Sequence, residues 1–236
     1  MRLLKPMGNY LKKEASQNLI LGVLCLVSLV LLFVTSVAIL PFYVDIGAYE
    51  TARGSAIALF AVGLFYFLVI KYRSYRAGII GERKVTVTLS QALNDDYSLF
   101  NDVTLTSIPY GNIDHIVVGP TGVFVIETKN HKGRISYYGD NWEGIRGQRP
   151  SSQVRINAMR VKKILNASES LRSEAYYVHG VVVFVNVHAE LIERKPPDHV
   201  QILRIDELVS YITSEPRRFM AEEIAQIEME IQSSIE

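Results

Sequence analysis

Ile113-Asp114-His115-Ile116-Val117-Val118-Gly119-Pro120-Thr121-Gly122-Val123-Phe124-Val125-Ile126-Glu127-Thr128-Lys129-Asn130 is the stretch whose reading decides the fold. Two short runs rich in Ile, Val and Phe flank Gly119-Pro120-Thr121-Gly122, the composition of a β-hairpin and its turn. With a four-residue loop, Val118 faces Val123, and the same register sets Asp114 opposite Glu127. Facing residues place their Cβ atoms about 5 Å apart, where two carboxylates repel by about 3 kcal/mol at an effective dielectric of about 20. Such a pair calls for a proton, a cation or a metal between the acids. Lys129, on the same strand face as Glu127, supplies part of the charge. An Asp, a Glu-x-Lys and a divalent metal are the parts that activate water beside a phosphodiester. The competing reading from spacing alone is a half-exposed hairpin with an outer Glu127–Lys129 pair and Asp114 in a surface bend. A one-residue slip of register would separate the acids.

Working outward, the chain has 236 residues, 49% of them hydrophobic, and a net charge of +1. Its mean hydropathy is +0.16, so membrane segments are sought first. Cys25 is the single cysteine, which excludes an internal disulfide framework and a cysteine metal cluster. Residues 1–77 carry eight Lys/Arg against three Asp/Glu, and residues 78–236 carry seventeen against twenty-one. The later part is therefore mildly acidic, unlike a general nucleic-acid coat protein. One segment departs from this. Nine basic residues lie between Lys129 and Lys163, among them Lys132, Arg134, Arg146, Arg155 and Arg160, against Asp140 and Glu143. This run is either a solvated face or a surface that meets phosphates.

No charge interrupts Leu19 to Val44, nor Gly54 to Ile70. About 20 apolar residues cross a bilayer as a helix, so two spans are expected, at about residues 19–41, ending near Pro41, and 54–72. Arg2, Lys5, Lys12 and Lys13 precede them; Lys71, Arg73 and Arg76 follow. Asp45, Glu50 and Arg53 lie between, which predicts both termini on the cytoplasmic side of the cell membrane. Ser36-Val37-Ala38 also resembles a signal-peptide cleavage site, but the apolar stretch is longer than such peptides use. A buried helical hairpin of a soluble protein fits the unbroken hydrophobicity less well.

Residues 71–77 read as a linker from this anchor, residues 1–77, to a domain over 78–214, with an amphipathic helix over 215–236. Within the domain, Val85, Leu89 and Leu93 have helical spacing, with Glu82 in the first turn. Strands are expected at Tyr97 to Leu105, near 112–118 and 123–129, and at Arg134 to Tyr138, which would extend the same sheet. A helix capped by Ser151 or Ser152 runs to about Ser170 with Val154, Ala158, Val161 and Leu165 inward, and Gln153 and Asn157 one turn apart. Tyr177 to Val187 is a continuous apolar run, a strand covered on both faces. Val200 to Leu203 ends the sheet and Asp206 caps a further helix.

This order, with Gly81-Glu82, Ile113-Asp114-His115, Gly122 to Asn130, Gly133 with Trp142, and Pro150-x-x-Gln153, resembles the nuclease-related domain family, a branch of the PD-(D/E)xK nuclease fold. The likeness covers about residues 78–190, and Ile113 stands where the wider fold has proline. It implies an α/β, restriction-endonuclease-like mixed sheet flanked by helices, an α-β-β-β-α-β core, preceded here by two transmembrane helices. It further implies that Asp114, Glu127 and the Thr128 carbonyl hold Mg²⁺ or Mn²⁺. Lys129 would orient the attacking water, Glu82 would act as an accessory acid and Gln153 would position phosphate or water. Lys132, Arg134, Arg155, Arg160 and Lys163 would bind nucleic acid. His115 faces away from Asp114 and reads as structural, Trp142 as a packing residue, and His131 as a loop residue. The leading expectation is a membrane-anchored, metal-dependent nuclease acting on DNA at the cytoplasmic face, held to the lipid bilayer through residues 19–72. The alternatives are a catalytically inactive nucleic-acid- or partner-binding module and a purely structural membrane protein. No protein partner is legible.

Overall fold

The computed structural model describes residues 1–7, 10–35, 47–106, 112–145, 147–168 and 178–235. The elements in chain order are β1 (Arg2–Lys5), α1 (Tyr10–Val34), α2 (Gly47–Ala92), β2 (Ser98–Thr104), β3 (Asn112–Gly119), β4 (Gly122–Lys129), β5 (Gly133–Tyr138) and β6 (Asn141–Glu143). Then come α3 (Pro150–Ala167), β7 (Val178–Phe184), β8 (Ala189–Lys195), β9 (Val200–Arg204), α4 (Ile205–Ser214) and α5 (Ala221–Ser233). Met1–Gly8 and Ile80–Glu236 form one compact unit, Asn9–Ile79 another.

The first unit is α/β. A six-stranded mixed sheet runs β1-β2-β3-β4-β7-β9, antiparallel through β2, β3 and β4, then parallel from β4 to β7 and β9. Period-two alternation along β4 feeds two cores. Val123 and Val125 join one with Val154, Ala158, Val161 and Leu165 of α3 and Ile224, Ile227 and Ile231 of α5. Phe124 and Ile126 join the other with Val85 and Leu89 of α2 and Leu208 and Ile212 of α4. Every residue of β7 is buried, as its unbroken apolar run requires. The β3–β4 register follows the expected pairing, Val118 with Val123 through His115 with Ile126. The loop is tighter than expected, because Gly119 pairs with Gly122 and only Pro120 and Thr121 turn the chain. Glycine is required at 119, where a Cβ would lie 2.1 Å from the Tyr97 ring.

Several boundaries differ from the sequence reading. Residues 1–8 belong to the sheet unit rather than to an anchor. β1 pairs in parallel with β2, the Met1 amine donates to the Leu93 carbonyl and to Asp95, and Arg2 pairs with the buried Glu228 of α5 at 2.7 Å. The expected linker at 71–77 is helical, since α2 runs unbroken for 46 residues; the segment contains neither proline nor glycine to stop it. β5 does not extend the main sheet but pairs with β6 and the unforeseen β8 in a three-stranded sheet of its own. α3 starts with Pro150 at its first turn, so Ser151 lies inside it; the Ser151 hydroxyl accepts from the Trp142 indole and donates to Asp140. α5 is part of the core, not an appended helix.

In the second unit, Gly22 packs so closely on Leu68 that a Cβ would fall 2.4 Å from its side chain, the small-residue approach common between membrane helices. Leu21, Leu24, Leu31, Leu59, Phe60, Val62 and Phe67 are exposed. Two spans were expected; among the described residues one helix, Gly54–Ala92, is long and apolar enough to cross a membrane, and the apolar helix Leu19–Leu31 is shorter. Pro41, Asp45 and the Ser36-Val37-Ala38 triplet lie outside the described residues, as do Arg146, Ser170 and Tyr177.

Candidate active site

The site forms where β3 and β4 stop pairing. The ladder ends at His115 with Ile126, one step short of the expected Asp114–Glu127 pair. The half-buried Asp114 instead accepts a 2.7 Å hydrogen bond from the backbone N–H of Thr128. Within a strand a residue's N–H and C=O point to the same side, so the Thr128 carbonyl is also on the β3 side of its strand. The next carbonyl, of Lys129, points the other way and accepts from Val185 N–H of the segment after β7.

Glu127 is 3% exposed. Its Oε1 accepts from Lys129 Nζ at 2.7 Å, and its Oε2 is buried with no hydrogen-bond partner. An unsatisfied buried carboxylate oxygen is costly. Glu82 joins from α2, one turn before Val85 and two before Leu89, both fully buried. Gly81 lets the helix come close, since a Cβ there would meet Asn130 at 3.1 Å and Thr128 and Val185 at 3.3 Å. Lys84 fixes the approach by donating to the Val185 carbonyl.

Burial raises the proton affinity of all three acids, and neighbouring carboxylates add to it at Asp114 and Glu82. Burial and the charges of Glu127 and Glu82 push Asp114 well above the usual carboxylate range, against the Thr128 N–H and Lys129. Burial raises Glu127 while Lys129 opposes it. Burial, then Asp102 and Glu127, lifts Glu82 to about 7. One amine is too little positive charge for this cluster.

Asp102 is the member that sequence reasoning missed. The β2–β3 register sets it opposite Asp114, between the pairs Asn101–His115 and Val103–Ile113. Its backbone is left-handed, φ 52°, a conformation Asp tolerates better than most residues. The kink sends Phe100 and Val103 into the same core, which regular alternation would forbid. Asp102 accepts from the Asn112 side-chain amide. Lys5 of β1 also feels the Asp102 charge, although burial lowers its pKa. The only sequence signal was the second register, available once β2 is aligned on β3.

The remaining expected residues divide. Gln153, Asn157 and Arg160 line a cleft of about 470 Å³ together with Asn112, Gln148 and Arg149. Arg155 lies across the helix from Gln153, tied to Asp140 by both guanidinium nitrogens. Lys163 is exposed on α3, and Lys132 and Arg134 are exposed at and before β5, away from the cleft lining. His115 is fully buried and its Nδ1 lies 2.7 Å from Asn101 Oδ1; burial drops its pKa to about 3, so it is neutral. Trp142 stacks on Tyr137 at 4.7 Å and on Phe184 at 6.0 Å, a packing role.

Among the described residues no three His, Cys, Asp or Glu side chains form a metal cage. Mg²⁺ does not need one, because it keeps several waters and takes one or two carboxylates. Asp114, Glu127 with its orphaned Oε2, and the Thr128 carbonyl on the β3 side of its strand fit such a hard cation.

Residues 77–185 match the family model of the nuclease-related domain, NERD. A stretch of 61 residues is 44% identical to an uncharacterized protein of Bacillus anthracis; it covers 25% of this chain and 28% of that protein's length.

Proposed function

We propose that this chain is a divalent-cation-dependent nuclease that hydrolyses phosphodiester bonds of DNA. The observation that carries the reading is the orphaned Oε2 of Glu127 within a cluster of mutually repelling acids beside Lys129. Such a cluster spends folding stability, and a bound cation would return it. Asp114, Glu127 and the Thr128 carbonyl would hold Mg²⁺ or Mn²⁺, which supplies an acidified water and neutralises phosphate charge.

The chain's own residues do the rest. Lys129, anchored by Glu127 Oε1 at 2.7 Å, would orient the water and donate to the phosphate oxygens as charge builds. Glu82, with a pKa of about 7, would exchange a proton with water near neutral pH. Gln153 and Arg160, on one face of α3 in the cleft, would hold a phosphate. Arg155 contributes less, because Asp140 neutralises it.

Membrane attachment belongs to the same proposal. β1 and β2 pair side by side, so the segment between them must leave the sheet and return to it. A crossing by residues 54–72 would therefore require a second crossing elsewhere between β1 and β2. The basic flanks Lys12, Lys13, Lys71, Arg73 and Arg76 favour the cytoplasm for the domain.

The test is cleavage of labelled DNA by the full chain in detergent. Cutting should need Mg²⁺ or Mn²⁺ and vanish in Asp114→Ala and Lys129→Ala. Cutting that survives both substitutions would refute the assignment, and binding without turnover would favour the inactive-module reading.

A further inference from the structure

The cleft beside the acids is built from hydrogen-bonding groups more than from charge. Asn112, Gln148 and Gln153 bring carboxamides to it, the buried Asn157 accepts from Arg160 at 3.0 Å, and the guanidinium groups are those of Arg149 and Arg160. Its volume, about 470 Å³, lies in the range of small-ligand pockets, about 300–1,000 Å³. A bare phosphate track would not need three amides.

Asn112 narrows the choice. Its Nδ2 donates to the Asp102 carboxylate, and because a carboxylate only accepts, the amide cannot be turned around. The Asn112 Oδ1 is then a fixed acceptor, and it is buried without a partner. A phosphate oxygen would be repelled there; an N–H group is wanted. Asn112 stands two residues before Asp114 on β3, about 7 Å along the strand, so the group that fills the cleft neighbours the bond being cut.

We propose that the cleft receives one unpaired nucleobase by its Watson–Crick edge, next to the scissile phosphate, so that the substrate is single-stranded or frayed nucleic acid. This rests on the nuclease reading above. Every unpaired base carries an N–H on that edge, and in a duplex the complementary strand already occupies it. Base edges read by amides and stacked on guanidinium planes are the usual chemistry of single-strand and flipped-base recognition. Asn112 Oδ1 takes the base N–H, Gln148 adapts to the remaining edge groups, Arg149 covers the face, and Gln153 and Arg160 keep the flanking phosphate.

The experiment uses the full chain in detergent micelles with chelator present. Binding of a fluorescent single-stranded 20-mer (about 20 nucleotides suffices to cover one such site) is compared by anisotropy with the same strand annealed to its full complement as a blunt duplex. The single strand should bind at least about fivefold more tightly, the low end of what one paired base edge is worth. Gln148→Ala, at an exposed position where folding is not at risk, and Asn112→Leu should each shrink that preference. Absent or equal binding of the two forms, or a preference that survives both substitutions, overturns the inference. Asp114→Ala separates the two claims: it should abolish cutting yet keep the single-strand preference, whereas cutting that survives it counts against the nuclease reading alone.

Discussion

Substituting Glu82 by Gln should stabilise the metal-free protein, by a margin that grows as pH rises from about 4.5 to about 7 and then levels off. Burial and the charges of Asp102 and Glu127 raise Glu82 from 4.5 to about 7. An acid with a raised folded-state pKa binds its proton more tightly when folded. Its contribution to stability is therefore complete below pH 4.5 and is lost as pH rises through about 7. At 1.36 kcal/mol per pKa unit this gap is worth about 3 kcal/mol. Asp114 and Glu127 are raised as well and push in the same direction. Trp142 is the single tryptophan and packs on Tyr137 and Phe184, so its fluorescence reports on this unit during urea unfolding. Between pH 5 and pH 8, in chelator and detergent, the wild-type midpoint should fall by on the order of 1 M urea. Glu82→Gln should match wild type near pH 4 and exceed it by up to about 3 kcal/mol at pH 8. A flat wild-type profile, or a Gln variant less stable than wild type at pH 8, would refute the crowding of these acids.

Three further outcomes follow from the packing. Gly119→Ala should cost about 1–3 kcal/mol, because the new methyl meets the Tyr97 ring, which Thr121 holds by a 3.1 Å hydrogen bond; urea unfolding measures it. Arg2→Ala should cost about 1–3 kcal/mol by leaving Glu228 to Ser98 alone, and a fragment starting at residue 78, which lacks β1, should be less stable than the full chain in the same assay. Arg160→Ala should weaken single-strand binding several-fold and flatten its salt dependence, whereas Arg155→Ala, whose charge Asp140 already neutralises, should change it little; anisotropy across a salt series distinguishes them.

The parts of this site that a sequence discloses are those set by local periodicity. The β3–β4 register follows from alternation around a short glycine-bounded turn, which brings Asp114 and Glu127 to the same end of the hairpin. Gln153 and Asn157 share a helix face through their spacing alone, and both line the cleft. What stayed hidden depends on distant pairings. β1 is four residues long and is a strand only because β2, more than ninety residues later, offers it an edge. That pairing turned Arg2 and Lys5 from membrane-flanking charges into parts of the sheet unit. Asp102 was hidden because a left-handed residue inside a strand leaves no pattern in composition. Arg155 looked as available as Arg160 in the sequence, and only the position of Asp140 after β5 tells them apart.

Uptake of one hard cation by these acids is decided by titration calorimetry with Mn²⁺ on the full metal-free chain. A single site per chain is expected, abolished by Asp114→Asn and by Glu127→Gln in protein whose Trp142 fluorescence still reports a folded core. Stoichiometric binding that persists in both variants, or no binding by the wild-type chain, would contradict it.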